Sequence, residues 1–407
     1  MRLKNYQFLD EFHKDTCNFC GLCFHKCPVL KLPLKTAQRE IKKLAELGQS
    51  PTILNRCTSC MACNYYCPQN CNPYALILSS WYKRYLRNGL PYRARLALPY
   101  HFPNLYTITM KKLPKDEQLL INQWHQNWKN PPGHETMLYT GCNLLLQPFL
   151  LKSKLFENVP IFGSLELCCG EPLYRMGCLN AVQIVGLHLQ QQFERMGFKE
   201  LIMPCLGGYH MFSEVYPKLY GIEFDFKVIS LIDWLWNLFQ EDKFDIIPIK
   251  KKAVLHDNCW AKASGDHFFN RVRELLATLD VTILEPEHTR ENALCCGIGA
   301  AAANYSILYT FKNARTRLKE LLKVKPDFAV NYCGGCNWYL NIAKKLISPH
   351  LPLYHLIEVL QLGIGETPLH RTNNRAQTIL SSTLPRGLPH SFRLDRFHIK
   401  KILNRDL

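Results

Sequence analysis

Cys17, Cys20, Cys23 and Cys27 precede Pro28, and Cys57, Cys60, Cys63 and Cys67 precede Pro68, so one rule, C-x2-C-x2-C-x3-C-P, is written twice. Three thiolates at three-residue intervals let a short loop wrap one face of an iron–sulfur cube, while the fourth cysteine and its proline take the chain off in a new direction. A structural zinc site also takes four cysteines, but usually as two separated C-x2-C knuckles. The spacing therefore points to redox clusters.

In two-cluster ferredoxins the fourth cysteine of each run ligates the other cluster. One 4Fe-4S cluster is therefore expected on Cys17, Cys20, Cys23 and Cys67, and a second on Cys57, Cys60, Cys63 and Cys27. Cys71 lies outside both quartets and reads as a spare thiol. Between the runs, Thr36 is placed to cap a helix carrying Ile41, Leu44 and Leu47 and stopped by Gly48.

Cysteines recur downstream in a degenerate repeat. The first copy has Cys142, the pair Cys168-Cys169 before Gly170, and Cys205; the second has Cys259, the pair Cys295-Cys296 before Gly297, then Cys333 and Cys336. Four thiols of the first copy suit tetrahedral zinc or a further cluster, and its fifth position is Gly208. His210 is a candidate to complete that set, and Cys178 reads as a core thiol.

Short apolar runs at 136–139, 201–203, 253–255 and 328–330 stop at or just before cysteines, with amphipathic runs at 181–196 and 305–322 between them. Alternating strands and helices predict a small parallel sheet per copy, with the cysteines on loops beyond the strands' carboxyl ends. The fold class expected is α+β multidomain: a helical two-cluster ferredoxin module over 1–80, a connector over 81–134, a first α/β module over 135–245, a second over 246–365, and a basic tail over 366–407.

The series C, CC-G, C-x-x-C resembles the cysteine-rich CCG domain of the heterodisulfide reductase catalytic subunit family. The fused order, twin ferredoxin motifs and then two such modules, is similar to the iron–sulfur subunits of anaerobic glycerol-3-phosphate dehydrogenase and glycolate oxidase and to membrane-type heterodisulfide reductase. The resemblance implies that Cys259, Cys295, Cys296, Cys333 and Cys336 hold a non-cubane 4Fe-4S cluster, five thiolates being one more than a cubane takes. It also makes zinc a fair occupant of Cys142, Cys168, Cys169 and Cys205.

The 407 residues carry 50 Lys plus Arg against 33 Asp plus Glu, a formal charge of +17, with 47% hydrophobic and 20% charged residues. That is globular composition, and 19 cysteines in a long chain opening on the polar segment 1–15 point to metal binding in a reducing cytoplasm rather than a secreted disulfide scaffold. No run approaches a membrane span; the best, 228–239, contains Ser230 and Asp233. The stretch 72–114 has no acidic residue and mixes basic side chains with aromatics such as Trp81, Tyr82 and Tyr85. It suits an anionic membrane surface, an acidic partner, or plain cover for the ferredoxin module. Nucleic acid is not expected, because no recognised motif accompanies the charge. The tail reads as a docking arm or a disordered extension.

Two motifs are decoys. The run Gly297 to Ala302 fits G-x-G-x-x-A but follows ligand-type cysteines rather than a strand, and Cys333-Gly-Gly-Cys336 has the form of a redox pair but sits among three further thiols. With no nucleophile–base set and no flavin pattern, the expected role is an electron-transfer subunit linking a flavoprotein dehydrogenase to a quinone, a membrane anchor subunit or another carrier, on or near the cytoplasmic face of a membrane. The alternatives are a disulfide reductase acting at the second module, and a redox-sensing or structural metal protein.

Overall fold

A computed structural model describes residues 12–100, 103–299, 305–347 and 350–399. The amino-terminal module is all-helical. Helix Leu34–Leu47 buries Ala37, Ile41 and Leu44 on one face and ends at Gly48, whose φ of 64° is left-handed. It starts two residues before the predicted cap, from extended Pro33, so Thr36 lies inside the first turn and caps nothing. Ser50 then caps the next turn, its Oγ accepting from Ile53 N and donating to buried Glu40 at 2.8 Å.

Helix Pro73–Asn88 runs straight across residue 80, so the ferredoxin module and the connector share one element. Its apolar residues from Tyr74 to Trp81, and Tyr85, are buried, while Lys83 and Arg87 stay exposed. The apolar face of this helix is covered within the chain. Gly177, at φ +73°, permits that approach, since a Cβ there would sit 2.8 Å from the Trp81 backbone.

The rest of the fold is two parallel sheets and a ribbon. Strand β1 (Leu90–Pro91) belongs to the ribbon. The first sheet is β2 (Thr136–Tyr139), β3 (Ile161–Phe162), β4 (Glu200–Met203) and β5 (Lys227–Ser230), in the order β3-β2-β4-β5. The second is β6 (Lys252–His256), β7 (Thr282–Leu284), β8 (Phe328–Asn331) and β9 (Leu353–His355), in the order β7-β6-β8-β9. The same order appears twice. Central strands β2, β4, β6 and β8 are almost wholly buried, as continuous apolar runs covered on both faces must be. In each sheet the chain leaves the first strand to one side and returns on the other, so a crevice opens at the carboxyl ends of β2 and β4, and of β6 and β8.

The carboxy-terminal segment is not an extension as far as residue 399. Helix Thr372–Ser391 packs on helix Gly334–Ile347, and β10 (Arg396–Phe397) pairs antiparallel with β1. Buried Arg375 is locked to fully buried Glu117 at 2.6 Å, with Arg371 on its other oxygen at 2.8 Å. The strand, turn and helix content is mixed and parallel, as the sequence predicts. Residues 1–11, 300–302 of the glycine motif and 400–407 of the tail lie outside the described residues. Among the described residues no helix is long and apolar enough to cross a membrane.

Candidate iron–sulfur site

In the helical module the two cysteine runs interleave. The thiol neighbours of Cys23 are Cys67, Cys20 and Cys17, and those of Cys57 are Cys60 and Cys27, with Cys63 beside all three of these. Burial, and then the neighbouring thiols, pushes Cys23, Cys57 and Cys63 well above the ordinary thiol value; burial, and then Cys60, raises Cys27 to about 11. Dry thiols crowded this way become thiolates when a cation joins them, which is what an iron–sulfur cluster supplies. Backbone amides already point at sulfur: Ser59 N to Cys57 at 3.3 Å, Leu30 N to Cys27 at 3.5 Å and Cys71 N to Cys67 at 3.3 Å. Cys71 thus abuts a quartet through its amide, and its own thiol faces Gln69 O and Thr16 Oγ1.

The second copy gathers five thiols at its crevice. Cys259 follows β6, Cys333 follows β8, Cys295 and Cys296 come from the loop after β7, and Cys336 from the first turn of helix Gly334–Ile347. Hydrogen bonds run Cys259–Cys295–Cys296–Cys336–Cys333 without a break. Cys295 and Cys336, both donating, hold Cys296 down at about 6, while hydrogen bonds to Cys296 and Cys333, and then burial, raise Cys336. A ring nitrogen of His256 lies within 4.8 Å of the Cys296 and Cys336 sulfurs. Burial, then Arg317, pushes His256 down to about 3, and burial pushes His355 down to about 4.

The first copy is built differently. Cys168 is hydrogen-bonded to Cys142 and Cys169, and these bonds outweigh burial and hold it well below the ordinary value. Cys205 is within electrostatic reach of Cys142 and Cys169, but its hydrogen bond goes to Cys333 of the second copy, so the two sites share a wall. At the missing fifth position, a Cβ on Gly208 would lie 3.7 Å from Cys169 Sγ and 2.9 Å from Met203 Sδ; the methionine fills the space. Tyrosines surround the thiols: Tyr100 and Tyr216 donate to the carbonyls of Cys168 and Cys169, each at 2.8 Å. His210 is not among the thiols' partners. Its ring lies on Trp260, centroids 5.0 Å apart, and burial pushes it down to about 4. Cys178 is a fully buried thiol raised by burial alone.

One functional side chain escapes sequence reasoning. Arg175 is buried, donates to Glu171 and to the Ser59 carbonyl of the ferredoxin loop, and places Nη2 3.1 Å from Cys259 Sγ. Its guanidinium lies over Trp260 at 4.5 Å, and Trp260 Nε1 donates to Glu171 at 2.8 Å. Gly299 closes the junction, since a Cβ there would be 2.5 Å from Thr58 O and 2.7 Å from Arg175 Nη1. The glycine at 299 is explained by this approach. In sequence Glu171 and Arg175 form an ordinary i,i+4 surface pair; only their burial distinguishes them.

The 4Fe-4S dicluster domain model matches residues 9–68, and the cysteine-rich CCG domain model matches residues 253–341. The chain joins a 4Fe-4S dicluster domain to a cysteine-rich CCG domain. It is an iron–sulfur protein, and its dicluster match falls on the helical module and its CCG match on the second copy. Along the chain it is 24% identical to one subunit of the dihydromethanophenazine:CoB–CoM heterodisulfide reductase of Methanosarcina barkeri, over 79% of this chain and 80% of that one. It is 24% identical to an EtfAB:quinone oxidoreductase of Syntrophomonas wolfei, over 82% of this chain and 56% of that one. It is 22% identical to one subunit of the fumarate reductase (CoM/CoB) of Methanothermobacter marburgensis, over 89% of this chain and 74% of that one. These relatives are oxidoreductases or subunits of them, which supports electron transfer.

Proposed function

We propose that this chain is the electron-transfer subunit of an oxidoreductase complex, carrying electrons between a flavoprotein dehydrogenase and a quinone or another carrier. In this reading one 4Fe-4S cluster sits on Cys17, Cys20, Cys23 and Cys67, a second on Cys57, Cys60, Cys63 and Cys27, and a third, non-cubane one on Cys259, Cys295, Cys296, Cys333 and Cys336. Cys142, Cys168, Cys169 and Cys205 take zinc or a further cluster. The helical module, the connector, the two α/β modules and the tail follow one another in sequence, with helix Pro73–Asn88 shared by the first two and the tail helix packed on the connector and on helix Gly334–Ile347.

The observation that carries this reading is Arg175. One guanidinium touches both the Ser59 carbonyl, between Cys57 and Cys60, and the Cys259 sulfur. Two candidate cluster sites that share a side chain are neighbours, an arrangement suited to electron exchange between them. The bound clusters supply the one-electron chemistry. The chain's own groups hold them, exclude water and set their charge environment. The cationic balance of the chain favours an acidic partner or the anionic cytoplasmic face of a membrane.

Anaerobic pull-down of the tagged full chain from gently solubilised cells tests the assignment. A flavoprotein at equal stoichiometry, with iron for a third cluster, is the expected result. A chain carrying iron for two cubanes only, and no flavoprotein, sinks it. The Cys205–Cys333 contact favours a second reading, disulfide reduction at the wall between the copies. There a disulfide takes two electrons and two protons and leaves as two thiols. Dye-driven turnover of disulfides that disappears in Cys336→Ser would establish that chemistry.

A further inference from the structure

His256 and His355 occupy one rung of the second sheet. The register pairs His256 with Asn331 and Asn331 with His355, at the carboxyl ends of β6, β8 and β9 where the five thiols gather. Both imidazoles are buried, at 1% and 3% exposure, and the Nε2 of each has no hydrogen-bond partner among the described residues. A buried N–H left unpaired is costly, so two on one rung require an acceptor.

Their tautomers are fixed by their neighbours. Arg317 Nε lies 3.1 Å from His256 Nδ1, and a guanidinium can only donate, so Nδ1 accepts and Nε2 carries the proton. Ile357 N donates to His355 Nδ1 at 3.3 Å, which fixes the same tautomer there. Neither ring therefore has a free lone pair for iron. Each has a single N–H; Cys333 is a negatively charged neighbour of both rings, and Asp257, whose carboxylate is taken up by Arg273, Tyr332 and Arg290 N, is a further one of His256. The corresponding positions of the first copy are Tyr139, whose hydroxyl donates to Leu167 O, and Ser230, whose Oγ caps the next helix by accepting from Asp233 N at 3.0 Å. That rung carries no imidazole: one position has a committed phenol and the other a capping hydroxyl.

We propose that His256 and His355 are positioning residues that donate Nε2–H hydrogen bonds to the sulfur of the cluster held by the second copy's cysteines and thereby raise its reduction potential. The inference rests on the reading that this copy holds the third cluster. Reduction adds negative charge to sulfur, so a fixed N–H donor stabilises the reduced form more than the oxidised one. The low local dielectric strengthens the effect.

The test is an EPR-monitored redox titration of the anaerobically purified full chain. His256→Leu and His355→Leu each lower the reduced-to-oxidised ratio at the wild-type midpoint about tenfold, equivalent to about 59 mV for a one-electron couple. His256→Gln and His355→Gln, which keep an N–H, recover most of that shift, and iron content stays constant in all four. Unchanged potentials in the leucine variants with the cluster retained overturn the inference, as does loss of iron from them, which would make histidine a ligand. On the wild type, electron–nuclear double resonance after histidine 15N labelling is expected to show exchangeable proton coupling with only weak nitrogen coupling. A directly bonded nitrogen, or no histidine coupling, overturns it without any variant. If Cys296→Ser leaves the iron content and all EPR signals unchanged, the cluster reading fails, and the inference with it.

Discussion

The two copies share a strand order and a crevice, yet they spend their polar groups in opposite ways. In the first, Tyr139 and Tyr216 donate to backbone carbonyls, Tyr100 serves the Cys168 carbonyl and also reaches its sulfur, Tyr106 reaches the Cys142 sulfur, and Met203 occupies the room beside Gly208. In the second, Arg175 donates to Cys259 itself, and His256 and His355 keep buried N–H groups unspent. A site whose donors serve mainly the scaffold, with tyrosine the one kind that reaches sulfur, holds its occupant in place. A site whose donors remain for sulfur also sets how readily that occupant takes an electron. Duplication supplied two equal crevices, and the side chains on one rung divided their duties.

The largest effect expected separates the copies outright. Cys296→Ser removes the EPR signal and iron of the second-copy cluster entirely, while Cys169→Ser leaves that signal intact. Loss of the same signal in both variants would mean that the copies, joined through Cys205 and Cys333, form a single site.

The next contrast concerns Asp257 and its counterpart Thr140. Asp257 is buried and receives Arg273 at 2.9 Å, Tyr332 Oη at 2.9 Å and Arg290 N at 2.8 Å, whereas Thr140 Oγ1 is buried without a partner. Arg273→Met strands a buried carboxylate and is expected to cost about 3–5 kcal/mol in chemical denaturation. Thr140→Val, which removes an unsatisfied hydroxyl at nearly constant shape, is expected to stay within about 1 kcal/mol of wild type. Equal costs would show that the two loops carry the same load.

Much of this architecture is legible in the residues alone, because cysteine spacing and apolar runs are local signals. The strands at 136–139, 200–203, 252–256 and 328–331 fall on the runs that stop short of cysteines. What is not legible depends on contacts between distant segments. Arg175 meets Ser59 across 116 positions, and Arg375 meets Glu117 across 258, so a junction reads as a surface pair and a clasped helix reads as a loose tail. Thr36 misleads for the opposite reason: a good capping residue sits where Pro33 has already set the chain's entry into the helix. The two histidines look ordinary in sequence, and only the donor on each Nδ1 shows which nitrogen is left over.

A smaller change sharpens the comparison at Gly208. Gly208→Cys restores a fifth thiol to the first copy but drives its Cβ to 2.9 Å from Met203 Sδ. The expected cost is about 1–3 kcal/mol, with no gain in iron. Adding Met203→Ala frees the space, so the double variant is expected to recover part of the stability and to bind more iron on reconstitution. Equal iron in single and double variants would show that Met203 is not what closes the site.

The smallest effect falls on the rung itself. Tyr139 stands where His256 stands, but its hydroxyl is committed to the Leu167 carbonyl just before the first CC pair. Tyr139→Phe leaves the ring packed on Phe162 and Phe193 and removes only that bond. The expected loss is about 1 kcal/mol of stability, with no change in the potential of any cluster. The histidine variants are expected to show the reverse, a displaced potential with iron retained. A potential that moved in Tyr139→Phe would place a tunable cluster in the first copy too, and the division of duties between the copies would fail.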